Sequence, residues 1–164
     1  MEITLEWLEE HNISPLHIEA FKKLNEADVI KLLEIYVSNG WLKWAMDILE
    51  EVLEVEGLAK LGVFEAIQVM GMVSDKSQFC SNEQVAQEQA LISANVMYQS
   101  TKNHRLSGNF VRAAAYDRFL STLNNKDMEI ACMLYNANLN MSINTKKLIV
   151  EEGIRLIKEQ EMII

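Results

Sequence analysis

Asn82-Glu-Gln-Val-Ala-Gln-Glu-Gln-Ala-Leu-Ile-Ser-Ala-Asn-Val-Met-Tyr-Gln-Ser-Thr-Lys-Asn-His104 is the stretch that decides the fold. It holds neither Pro nor Gly, and Ser81 followed by Gln84 supplies a capping-box start for a helix. Ala86, Ala90 and Ala94 recur at helical spacing and so form one ridge of small side chains. Such a ridge lets a second helix approach toward the short end of the ~8–10 Å packing range. Val85, Ile92 and Val96 flank the ridge, and Leu91, Met97 and Tyr98 widen it. A central helix with neighbours on more than one side is the expectation.

The rest of the chain is punctuated as sparsely. Of 164 residues one is Pro and six are Gly, which favours long helices over short strands and tight turns. The expected fold class is all-α, a compact multi-helix bundle of about eight or nine helices. Residues 1–164 read as a single α-helical domain, with 1–39 as a candidate N-terminal helical subdomain.

Thr4 caps a first helix that ends near Asn12. Ser14-Pro15 opens a second, with Pro where a missing N–H costs nothing. Asn25 is read as the cap of a third helix, closed by Asn39-Gly40. The fourth is the most amphipathic piece. Trp41, Trp44, Ala45, Ile48, Leu49, Val52 and Val55 line one face, and Asp47, Glu50, Glu51 and Glu54 line another. Gly57 and Gly62 are expected to loosen the chain before a fifth helix over 63–73, and 74–81 reads as a polar loop. After the central helix come one over 109–123, with Phe110, Ala113, Ala114, Phe119 and Leu120 as core, and one over 126–138, with Asn124-Asn125 turning the chain between them. The segment 130–135 is apolar all round, which predicts burial. A last amphipathic helix carries Leu148, Ile149, Ile154, Leu156 and Ile157 inward, and the apolar end, Met162-Ile-Ile164, folds back or frays.

The charge is lopsided. Residues 1–60 hold 13 Asp/Glu against 5 Lys, a net of −8, out of −9 for the whole chain. Non-specific nucleic-acid binding needs cations facing phosphates, so no nucleic-acid partner is expected. A basic protein partner suits the charge. No apolar run approaches the ~18 residues of a membrane span, so no membrane partner is expected either. The acidic N-terminus resembles neither a signal nor a transit peptide, and Cys80 and Cys132 lack motif spacing. Free thiols and a cytoplasmic location follow as expectations.

The chemistry-bearing residues form no catalytic pattern. His11, His17 and His104 have no ligand spacing and read as surface or loop residues, so neither a metal nor any other cofactor is expected. No nucleophile elbow or phosphate loop occurs. Asp117, between apolar neighbours in Arg112-Ala-Ala-Ala-Tyr-Asp-Arg118, is a candidate for a polar pocket, with Arg112, Arg118, Lys102 and Arg105 as potential partners. Trp41 and Trp44 read as core. The stripe Asp47, Glu50, Glu51, Glu54 has no interleaved Lys or Arg, so its charges repel one another. It is the expected partner-binding surface.

Trp44-Ala45, Glu51-Val52-Leu53, Phe64-Glu65-Ala66 and the Ala-rich helices beginning at Ala86 and Ala113 form a pattern. It resembles the all-helical immunity proteins of bacterial polymorphic-toxin systems and related phage accessory proteins. The segment from Trp7-Leu-Glu-Glu-His11 through Phe21 to Trp41 and Trp44 is similar to the N-terminal module of such phage proteins. The resemblance covers about residues 5–140 and is one of pattern more than of rigid motif. It implies inhibition by binding and no catalytic residues. The expected function is thus a non-enzymatic protein that neutralises a toxin or a defence factor. A helical scaffold or assembly protein, with a homo-oligomer as its signature, is the first alternative. A hydrolase-like enzyme with a pocket around Asp117 and His104 is the second.

Overall fold

A computed structural model describes residues 1–73, 82–123 and 128–162. Among them run nine α-helices: α1 (Leu5–Glu10), α2 (Pro15–Leu24), α3 (Val29–Ser38), α4 (Leu42–Val52), α5 (Val55–Gly71), α6 (Glu83–Thr101), α7 (Ser107–Leu123), α8 (Met128–Leu139) and α9 (Ile143–Met162). The described residues include no strand, only an isolated antiparallel bridge between Glu2 and Asp28. The all-α expectation holds. Ser81, Cys80, the 74–81 loop, Asn124-Asn125 and the last two residues lie outside the described residues.

Local chemistry sets most boundaries. The Thr4 hydroxyl accepts the Trp7 N–H at 3.1 Å, and the Ser14 hydroxyl accepts the His17 N–H at 3.3 Å. Asn25 does not start α3. It closes α2 in the left-handed conformation (φ 51°), which Asn tolerates, and Asp28 caps α3 through the Lys31 N–H at 3.0 Å. Asn82 caps α6 by accepting the Val85 N–H.

The largest departure is between α4 and α5. The chain turns at Leu53, which is extended, and a new helix runs unbroken from Val55 through Gly57 and Gly62. Val55 therefore belongs to α5, and Glu54 precedes it. A mid-helix Gly costs about 1 kcal/mol in propensity. At Gly62 packing overrides that cost, because a Cβ there would lie 2.5 Å from the Arg112 carbonyl oxygen on α7.

That crossing makes α5 the helix with most neighbours; it packs against α6, α7, α8 and α9. α6 is not central. Ala86, Ala90 and Ala94 are fully buried against its neighbours, yet Ile92 and Val96 are 56% and 62% exposed. The small face is the buried one, and the larger apolar side chains look outward. In α8, Ile130 and Leu134 are buried, while Cys132, Met133 and Tyr135 are exposed, so this helix is not enclosed all round. α7 buries Val111, Ala115, Phe119 and Leu120 but leaves Phe110 exposed. α9 packs on α3, α4 and α5 through Ile149, Val150, Ile154, Leu156 and Ile157, and the N-terminal amine meets Glu161 at 3.0 Å. No described helix is long and apolar enough to cross a membrane.

Candidate functional site: a charged cleft between α4, α7 and α9

Two glycines position the site. Gly108, at the start of α7, lies so close to α4 that a Cβ would collide with the Glu50 carbonyl oxygen. Gly62 brings α5 against the next turn of α7. Arg112 is one turn beyond Gly108, and Glu65 is about one turn beyond Gly62. The same close approaches therefore aim Arg112 at both Glu50 and Glu65.

Arg112 donates from Nη2 and Nε to Glu50 Oε1 at 3.0 and 3.3 Å, and from Nη1 to Glu65 Oε2. Asn109 Nδ2 donates to the same Glu50 oxygen at 3.3 Å. Asn138 Nδ2 donates to the Tyr116 hydroxyl at 2.9 Å and lies 3.5 Å from Glu65 Oε1. The side chains of Arg112, Glu50 and Glu65 are only 14%, 11% and 15% exposed. One guanidinium thus serves two sequestered carboxylates. Burial lifts Glu50 above the ordinary carboxylate range, and Arg112 and Asn109 offset only part of that. Tyr116 is pushed up to about 12, again by burial.

Arg112, Glu50, Glu65, Asn109 and Asn138 form the floor of a cleft of about 460 Å³. Met46 of α4, Ile149 and Val150 of α9, and Met141 between α8 and α9 supply apolar walls. Lys43, Asp47 and Lys146 stand at its mouth. A concave, mainly apolar site with a few converging polar groups is the usual form of a ligand pocket.

The four acids expected to form one outward stripe are divided. Glu50 turns inward to Arg112. Asp47 meets Lys43 at 3.5 Å at the cleft mouth. Glu51 is half-buried, and burial raises its pKa; it borders hollows shared with His11 and Arg105 on one side and Lys102 and His104 on the other. Glu54 is exposed, and its backbone N–H donates to Gln160 at 3.0 Å. The missing cation of the stripe comes from 62 residues away, beyond what spacing within a helix shows.

Asp117 and His104 do not form the pocket proposed for them. Asp117 is exposed over much of its surface and has no ion pair among the described residues; partial burial of its carboxyl, and then the Glu65 charge, raise its pKa. Three of its four suggested partners are engaged elsewhere: Arg112 as above, Arg118 with Gln89 at 3.2 Å, and Arg105 with the Asn12 carbonyl at 2.9 Å. His104 borders the hollow beside Glu51, which Asp117 does not reach.

His17 is not a surface residue. It is fully buried, with Nε2 at 2.6 Å from the Tyr36 hydroxyl and its ring stacked on Trp44 at 4.8 Å. Its Nδ1 has no hydrogen-bond partner among the described residues. Burial lowers its pKa to about 4, so the ring is neutral near pH 7. Trp41 and Trp44 pack against the core beside it, in line with the core reading. Among the described residues no group of three or more His, Cys, Asp or Glu is placed to hold a metal ion.

No family model matches this chain, and no curated protein or solved structure compared with it matches either.

Proposed function

We propose that the protein acts by binding, and that it neutralises a basic toxin or defence protein through the acidic side built on α4 and its surroundings. Asp47, Glu50, Glu51 and Glu54 are the contact residues in this reading. One observation carries it: the acids of the first 60 residues fall into two sets. Glu19, Glu34, Asp47, Glu50 and Glu56 have cations within ion-pair distance. Glu2, Glu6, Glu9, Glu10, Glu26, Asp28, Glu51 and Glu54 have none among the described residues; Glu26, Asp28 and Glu51 are half-buried and the others exposed. Of the unpaired acids Glu51 and Glu54 border hollows, which suits a partner that brings the missing cations, and such complementarity raises association rates.

Affinity capture from the native host with the wild-type chain, followed by mass spectrometry, tests this. A basic protein whose capture is lost on Glu51→Lys/Glu54→Lys, with the melting temperature unchanged, is the expected result. Capture that ignores the charge reversal removes the acidic surface from the account.

A further inference from the structure

We propose that the cleft around Arg112 receives one alkyl-guanidinium or alkyl-ammonium group, presented as an Arg or Lys side chain of the protein partner. This rests on the binding reading above and names the group that the partner inserts.

The argument is one of charge, valence and shape. Glu50 and Glu65 bring two carboxylates to the cleft floor, and Arg112 brings one cation. One negative charge is left over where water is scarce, so a second cation gains more there than at an open surface. The valence is incomplete as well. Glu50 Oε1 accepts three donors, whereas Glu50 Oε2 accepts none among the described residues. A guanidinium offers donors in the planar fork that carboxylates fit. Met46, Met141 and Ile149 then lie where the aliphatic stem would run, and the two thioether side chains adjust to its thickness. At about 460 Å³ the cleft admits such a stem with its head group and water.

An anion is the rival occupant, because Lys43 and Lys146 stand at the mouth. Lys43, however, is 87% exposed and already meets Asp47. Lys146 is also exposed. Both charges are screened by solvent far more than the floor charges, whose side chains are only 11–15% exposed.

The test is a titration of the whole chain with n-butylguanidinium, with butyrate, and with the peptide acetyl-Gly-Arg-Gly-amide. The side-chain amide signals of Asn109 and Asn138 report occupancy by NMR. Both cations should shift these signals saturably, and butyrate should not. Glu65→Gln should weaken cation binding about tenfold or more, since it removes a charge-assisted bond. Ile143 lines the cleft and is 73% exposed, so Ile143→Ser can thin the wall without touching core or ion cluster. It should weaken binding about threefold at unchanged melting temperature. If Glu65→Gln fails to fold, the Ile143→Ser and butyrate arms still decide. Butyrate binding as well as the cations, no binding by either cation, or binding indifferent to both substitutions overturns the proposal. Binding of n-butylguanidinium but not of the peptide overturns the protein side chain as source. Capture of a basic partner that survives both substitutions leaves the binding function standing and sinks only the cleft.

Discussion

His17 and Arg112 are both polar side chains drawn inward, and the fold settles them in opposite ways. His17 sits in a closed aromatic corner. It stacks on Trp44, meets Tyr36, and gives up its charge. Arg112 instead bonds two carboxylates at the floor of a cleft. A neutral buried group with one unpaired nitrogen is a cost the corner absorbs through packing. An ionic floor at the bottom of a cleft, with one Glu50 oxygen unbonded among the described residues, is a different object. The first belongs to stability, and the second is where binding is to be sought.

The contrast breaks first at Arg112. Arg112→Met removes the cation and leaves two sequestered carboxylates unpaired, which should cost about 3–5 kcal/mol in urea denaturation. Stability of this variant should then fall more steeply as pH rises. Glu50 already binds its proton more tightly folded than unfolded, so its contribution is present at low pH and is lost as pH climbs through the folded pKa. A loss below about 1 kcal/mol would mean that the cluster is a surface ion pair.

His17 has the opposite sign. Its folded pKa is about 4, against 6.5 for the free ring. Between those values the unfolded chain binds the extra proton, so stability falls as pH drops from 6.5 toward 4. The loss should approach about 3 kcal/mol, from ~1.4 kcal/mol per pKa unit. His17→Phe should flatten that limb of the stability–pH curve while the parent shows it.

Gly62→Ala comes next, at about 1–3 kcal/mol of destabilisation by thermal melting, since α5 and α7 must separate to admit the methyl group. It should also displace Arg112 from Glu65 and leave the His17 corner alone. The smallest effect on stability, within about 0.5 kcal/mol, is expected for Glu51→Lys/Glu54→Lys.

These effects also mark what the sequence could show. Periodicity, caps and the scarcity of Pro and Gly were enough for an all-α bundle, because helices are specified by neighbours three and four residues apart. Asn25 and Asp28 are hard to tell apart from sequence because both residue types serve at helix ends, and only the backbone angle separates a left-handed close from an N-cap. Gly62 looked like a break because propensity is local, whereas the need for a missing Cβ arises from α7. Ala86, Ala90 and Ala94 were legible as a contact ridge, yet nothing local told that the Ile92 side would stay bare. The cleft was least legible. Glu50 reads as one of four like charges until Arg112 arrives, and Arg112 read as a partner for Asp117. One signal was present: Gly108, Arg112 and Ala115 share the helical stripe that Phe119 continues, which puts an Arg on a buried face. His17 was hidden because a single His after Ser14-Pro15 says nothing of the aromatic residues it will meet.

The most direct measurement follows the His17 ring and the Glu50 carboxyl by NMR through one pH titration of the wild-type chain. His17 should stay neutral down to about pH 4, and Glu50 should take up its proton above the pH at which the exposed glutamates do. A His17 that protonates near 6.5, together with a Glu50 that titrates like its exposed neighbours, would contradict both the closed corner and the sequestered charge of the cleft.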